Sequence, residues 1–125
     1  MALNYLVFDY SEDTEGVGTL EAAASTWPEQ VPAVQAELAR VLDWAFAAFA
    51  GRRGPLEEGG DWDYDLQGML EFTAPQTATY DALTRRLSVH PGPAGKPRHS
   101  YTLVFSGTAE FCDAFRVQFG LDASL

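Results

Sequence analysis

The chain has no isoleucine, only one lysine, and a single cysteine, Cys112. One cysteine excludes an internal disulfide. No long hydrophobic run is present either. The longest, WAFAAFA from Trp44 to Ala50, is far short of the roughly 20 residues a membrane-spanning helix needs. The start, MALNYLVFDY, has no basic region and reaches an acid at Asp9, unlike a secretory signal. Together these absences predict a cytoplasmic protein. Basic residues are scarce, 8 against 18 acidic ones, and the net charge is −10. Such a chain repels phosphate backbones and anionic lipid surfaces, so nucleic acid and membranes are disfavoured partners. The lack of isoleucine, together with arginine in place of lysine and much alanine, points to a high-GC bacterial genome.

Motifs for common chemistries are missing as well. Asp61-x-Asp63-x-Asp65 resembles the start of a calcium loop, but a loop beginning at Asp61 needs glycine sixth and glutamate twelfth. Those positions hold Leu66 and Phe72. GVGTLE has Glu21 where a dinucleotide fingerprint needs its third glycine, and HPGPAGKP has Pro97 where a phosphate loop needs a hydroxyl residue. Cys112, His90 and His99 are too few for a structural zinc site. No cofactor and no metal are expected.

What is present is a globular composition, 46% hydrophobic and 13% aromatic over 125 residues. That length suits one domain able to bury about two thirds of its unfolded surface. Leu3–Tyr10 is rich in β-forming residues and predicts a first strand, with the acidic SEDTEG as its turn. VGTLEAAAST then returns as a strand with Leu20, Ala22 and Ala24 on one face. Val31, Val34, Leu38, Val41, Leu42, Ala45 and Phe49 recur at helical spacing. Thr26 and Glu29 have capping-box spacing, Pro32 suits a first turn and Gly51 a left-handed cap. This predicts a long helix over about Val31 to Ala50. TATYDALTRRLSVH reads as a hairpin around Ala78–Asp81 and Arg86–His90, although a helix also fits Tyr80, Leu83 and Leu87. PGPAGKP must be a loop, and SYTLVFS a strand with Tyr101, Leu103 and Phe105 on one face. A short helix closes the chain, with Thr108 at its N-cap, Glu110 in its first turn, Phe111, Phe115 and Phe119 four apart, and Gly120 at its C-cap. The expected fold class is α+β, a mostly antiparallel sheet with one long and one short helix packed on one face.

The stretch EEGGDWDYDLQGMLEF alternates with period two. Trp62, Tyr64, Leu66, Leu70 and Phe72 are expected on the buried face. Asp61, Asp63, Asp65, Gln67, Met69 and Glu71 are expected on the wet face. Gly68 marks a bulge or a close approach. Charge is blocked: Asp9–Glu21 and Glu57–Glu71 contain acids and no base, whereas Arg85–Arg98 contains bases and no acid. That basic segment is the expected internal counter-charge to the aspartates.

The leading functional expectation is a non-catalytic module that binds another protein, in the manner of immunity proteins or secretion chaperones by analogy of size and charge. Its partner would present a basic surface to Asp61, Asp63, Asp65 and Glu71. Trp27, Trp44 and Trp62 read first as core or core-edge residues. Trp44, off the main helical stripe, is the one candidate contact anchor. The competing expectation is a small enzyme or ligand-binding domain with a pocket between the long helix and the sheet. Asp63, Asp65, Glu71 and Cys112 would act there, with His90 or His99 as proton carrier. Cys112 is otherwise a small buried core residue. A third expectation is a homodimer through the long helix or a sheet edge.

Overall fold

A computed structural model of the protein describes residues 3–121. Six strands and two helices follow in the order β1 (Asp9–Glu12), β2 (Gly18–Thr26), α1 (Val31–Ala48), β3 (Trp62–Glu71), β4 (Gln76–Asp81), β5 (Arg86–Pro91), β6 (Arg98–Gly107) and α2 (Ala109–Gln118). Four strands form an antiparallel sheet in the order β1-β2-β6-β3, and β4 pairs with β5 alone. Both helices lie on one face, so the fold is α+β as the alternation and helical periods predict. No helix among the described residues is long and apolar enough to cross a membrane.

Period two decides which residues meet the helices. Leu20 pairs with Phe105 and Ala22 with Leu103; Tyr64 pairs with Phe105 and Leu66 with Leu103. Leu20, Ala22, Leu103 and Phe105 form the core with Val34, Leu38, Val41 and Ala45 of α1 and Phe111 and Phe115 of α2; Tyr64 packs against it, and Leu66, expected to be buried, is 41% exposed. The opposite row, including Glu21, Thr102, Val104, Asp63 and Asp65, faces water. Alpha1 is covered twice, by the sheet and by α2. Trp44 lies within 6 Å of the rings of Phe111, Phe115 and Phe119. Alpha2 ends as its sequence indicates: the Thr108 hydroxyl accepts the Phe111 N–H at 3.3 Å, and Gly120 takes a positive φ of 66°.

Three expectations change. Leu3–Phe8 is not a strand, and β1 begins only at Asp9. The reason is Glu37, a carboxylate buried on the apolar stripe of α1. It accepts the N–H groups of Asn4 at 2.7 Å, Tyr5 at 2.9 Å and Leu6 at 2.7 Å. Those donors therefore go to a helix side chain and not to a neighbouring strand. Leu6 and Phe8 are still buried. Second, β3 keeps its alternation but not its burial. Trp62 is fully buried, while Leu70 is 51% and Phe72 61% exposed, because no described element packs over the distal end of the strand. Third, of the two readings of Gly68 the bulge drops out and the packing contact remains. The β3–β6 register runs unbroken, with Gly68 opposite Tyr101, whose ring sits 3.6 Å from where a Cβ would stand.

Beta4 and beta5 extend the β3–β6 ribbon as an arm beyond the core. The Gly92 N–H donates to the Pro75 carbonyl and the Gly95 N–H to that of Thr73, which links the two ladders. At the tip Asp81 accepts the Leu83 N–H at 2.9 Å, and Arg85 adopts a left-handed φ of 58°. Every residue of both arm strands is exposed. The register places Ala78 opposite Val89 and Tyr80 opposite Leu87, so the arm has one apolar face.

Candidate functional site

A concavity of about 560 Å³ lies at one end of the open sheet face. One wall is the β1–β2 turn with Asp13, Glu15 and Val17; the other is Pro55, Leu56 and Glu57; Asp63 and Ser106 also line it. The first wall is fixed by Asp13, whose Oδ1 accepts the N–H groups of Glu15 at 2.8 Å and Val17 at 2.9 Å. The second wall is fixed by a tight loop in which the Gly60 N–H donates to the Pro55 carbonyl at 3.0 Å. A Cβ at Gly60 would stand 2.2 Å from the Gly54 carbonyl oxygen, so only glycine closes that loop.

The charges around this cleft are unequally used. Asp63 accepts from Arg53 Nε at 2.8 Å and also from the Tyr64 N–H. Asp61 is paired with Arg52, which reaches Glu110 at 2.8 Å as well. The counter-charge to Asp61 and Asp63 thus comes from Arg52 and Arg53, just past the C-terminus of α1, and not from Arg85–Arg98 as expected. Arg53 also lies 4.8 Å over the Tyr64 ring. Arg98 faces Glu71 in register, but its guanidinium sits 4.9 Å over Trp27 and donates to Ser25. Arg85 and Arg86 are out on the arm. Among the described residues, Glu15 and Glu57 form no ion pair. The site is therefore an anionic cleft in which Asp13 is held by backbone N–H groups, Glu15 and Glu57 are in no ion pair among the described residues, and Val17, Pro55 and Leu56 are the apolar flanks.

Of the residues expected to bind a partner, Asp61, Asp63, Asp65 and Glu71 all belong to β3 or its entry, and Asp63 alone lines the cleft. Asp65 accepts from Gln67 at 2.9 Å, and Glu71 lies near the far end of the strand. Trp44 turns its ring into the α1–α2 contact. The sequence did not single out Asp13, Glu15 or Glu57. The only signal was that two acidic blocks exist; the register that joins them is tertiary.

The residues of the competing expectation do not converge. Asp63, Asp65 and Glu71 are on the open face, and Cys112 is buried on the helix face, its Sγ 3.6 Å from the Gly107 carbonyl. His99 lies at the other end of β6, eight residues from Gly107 and so roughly 27 Å away along the strand. His90 is on the exposed arm. Between α1 and the sheet lies a hollow of about 260 Å³ lined by Gln35, Leu38, Ala39, Leu42, Leu66 and Tyr101. It holds no carboxylate or histidine. Among the described residues no group of three His, Cys, Asp or Glu side chains is placed to hold a metal ion.

Burial first, and the Asp113 carboxylate second, push the Cys112 thiol up to about 11. The folded protein then keeps a proton that the unfolded chain releases near pH 9. Stability from this thiol is complete below that pH and is lost as the pH rises towards about 11, by about 2–3 kcal/mol in all. Native Cys112 is expected to be silent towards thiol reagents at neutral pH and to react fully in denaturant. Denaturant midpoints measured from neutral to alkaline pH should fall less steeply in Cys112→Ala. A native thiol that reacts quickly, or an identical alkaline slope in the variant, contradicts this.

The two-layer α+β frame with one open, acidic sheet face defines the class of this protein by architecture. Comparison of the chain with protein-family models, curated proteins and solved structures finds no match.

Proposed function

We propose that this is a non-catalytic protein-binding module whose acidic cleft takes a lysine or arginine side chain from a partner with a basic surface. The observation that carries the reading is that Glu15 and Glu57, neither in an ion pair among the described residues, both line a cleft with the apolar flanks Val17, Pro55 and Leu56. A long cationic side chain needs both features: methylene stems lie on apolar surface while the charged head meets carboxylate. The net charge of −10 adds long-range steering of a basic partner. The alternative of an enzyme or ligand pocket under α1 has in its support only the shallow apolar hollow.

The test is affinity capture from a bacterial lysate by the wild-type chain and by Glu15→Arg/Glu57→Arg. Both positions are exposed, so folding should survive. A basic protein retained by the wild type should be released by moderate salt, and the variant should bind it at least about tenfold more weakly. Retention that is equal in the two chains, or no salt-sensitive retention at all, sinks the reading.

A further inference from the structure

We propose that two copies of this chain exchange their β4–β5 arms, each arm lying on the partner's open sheet face with its basic tip in the partner's acidic cleft. This rests on the reading of the cleft as a site for a cationic side chain, and it names the donor. Every residue of β4 and β5 is exposed, and a two-stranded hairpin without cover is marginally stable at best in water. Its large apolar side chains are open to solvent: Tyr80 is 64%, Leu87 66% and Leu83 at the tip 96% exposed. Nothing among the described residues covers them.

Charge at the tip is unspent. Arg85 and Arg86 form no ion pair among the described residues. The nearby Asp81 uses its Oδ1 on the Leu83 and Thr84 N–H groups. Arg85 holds a left-handed φ of 58°, a turn position that glycine or asparagine fills at less cost. Arginine at such a position points to use of its charge. The cleft offers the converse, Glu15 and Glu57 beside Val17, Pro55 and Leu56. A tip of Leu83 and two arginines thus meets apolar flanks and two carboxylates, and complementary charge fixes the orientation of such a contact.

Within one chain the tip and the cleft lie at opposite ends of β3. Asp63, where β3 begins, lines the cleft, and the arm follows Glu71, where β3 ends. Between two copies the lengths match. Eight residues separate Asp63 from Glu71 and ten separate Glu71 from Asp81, roughly 27 and 34 Å of extended chain. Two copies laid antiparallel, open face to open face, therefore set each tip at the other's cleft, with the two-fold axis near the bases of the arms. The small side chains of Ala23, Ser100 and Thr102 along the middle of the receiving face leave room for an arm. The contact is made by faces, so the outer edge of residues 61–62, which Arg52 and Gly54 occupy, stays as it is. The arm offers apolar surface on the order of 400 Å² per copy; given twice and matched by the faces that receive it, this reaches the roughly 1,600 Å² of a stable interface. A two-fold exchange closes after two copies.

The experiment is sedimentation of the full chain over a concentration series, with two charge-reversed chains. The wild type should be a dimer with a dissociation constant on the order of micromolar, weakened by salt. Arg85→Glu/Arg86→Glu and Glu15→Arg/Glu57→Arg change exposed side chains only, so circular dichroism should stay native. Each alone should dimerise at least about 100-fold more weakly. Mixed in equal amounts they should form a one-to-one heterodimer of near wild-type affinity, because each reversed tip meets a reversed cleft and each native tip a native cleft. Each reversal moves the net charge of −10 by four, so both chains stay acidic and overall charge cannot draw them together. A wild type that stays monomeric up to about 100 μM, near −5.5 kcal/mol of association, overturns the proposal. So does a dimer that both reversed chains retain, and so does a mixture that stays monomeric. Lysate capture by Arg85→Glu/Arg86→Glu, whose tip no longer competes for the cleft, separates the two proposals. Salt-sensitive capture of a basic protein beside a monomeric wild type removes the exchange and leaves the cleft reading standing.

Discussion

Glu37→Ala is expected to lower unfolding stability by about 3–5 kcal/mol, a large share of the 5–15 kcal/mol typical of a domain. Glu37 is 5% exposed, and its two oxygens accept three consecutive backbone N–H groups. Hydrogen bonds to a charged group contribute about 1.5–3 kcal/mol each, and a buried donor left without a partner costs about 1–3 kcal/mol. The Leu6 N–H is buried, whereas those of Asn4 and Tyr5 are partly so and can be partly satisfied by water. The Arg40 guanidinium is 4.0 Å from the carboxylate and adds little at that range. Glu37→Gln keeps the carbonyl that serves Tyr5 and Leu6 and turns an amide towards Asn4, so it should cost less than half as much. Denaturant unfolding measures the loss, and hydrogen exchange locates it: the amides of Asn4, Tyr5 and Leu6 should lose protection before the rest of the chain. An alanine variant with the wild-type midpoint would show that the segment is held by Leu6 and Phe8 alone.

Trp62→Ala is expected to cost about 4–5 kcal/mol. The indole is fully buried. It stacks on Phe111 at 5.3 Å with an interplanar angle of 3° and meets Phe46 edge-on at 5.0 Å. Its Nε1–H donates to the Phe49 carbonyl at 3.3 Å. Removing it opens a void at the junction of β3, α1 and α2 that none of the three can fill without moving. Trp62→Phe should cost much less, about 1–2 kcal/mol, for a specific reason. The Phe49 carbonyl also accepts the Arg52 N–H at 3.1 Å, so loss of the indole donor leaves no buried acceptor orphaned. The phenylalanine variant thus tests whether shape or the hydrogen bond dominates. A loss as large as that of alanine would assign the energy to the indole hydrogen bond.

The helices were legible because their signals are local. The stripe from Val31 to Phe49 and the cap at Gly51 place α1 almost to the residue, and Thr108 and Gly120 do the same for α2. The arm was partly legible: RLSVH alternates and the PGPAGKP loop follows it, although helical spacing of Tyr80, Leu83 and Leu87 left a second reading. Beta3 was half legible. Its alternation gave the face of each residue, but whether a face is covered depends on how far the helical layer reaches. That layer covers Trp62 and stops short of Leu70. Leu3–Phe8 misled because its composition favours a strand, while its N–H groups are taken by a carboxylate 31 to 33 residues later. An acid on the apolar stripe of a helix was the one available sign of that contact.

Sequence by itself determined the α+β class, the net acidity, both helices and the strands β2, β3 and β6, since each follows from local periodicity, caps and turn residues. Only the tertiary structure decided which charges are spent and which are free. Pairing β2 and β3 with β6 brings acids from residues 13–15 to those at 57–63, and the chain reversal after α1 sets Arg52 and Arg53 against Asp61 and Asp63. Coulomb attraction depends on separation in space, which the order of residues along the chain does not contain. The cleft that Glu15 and Glu57 line exists for the same reason.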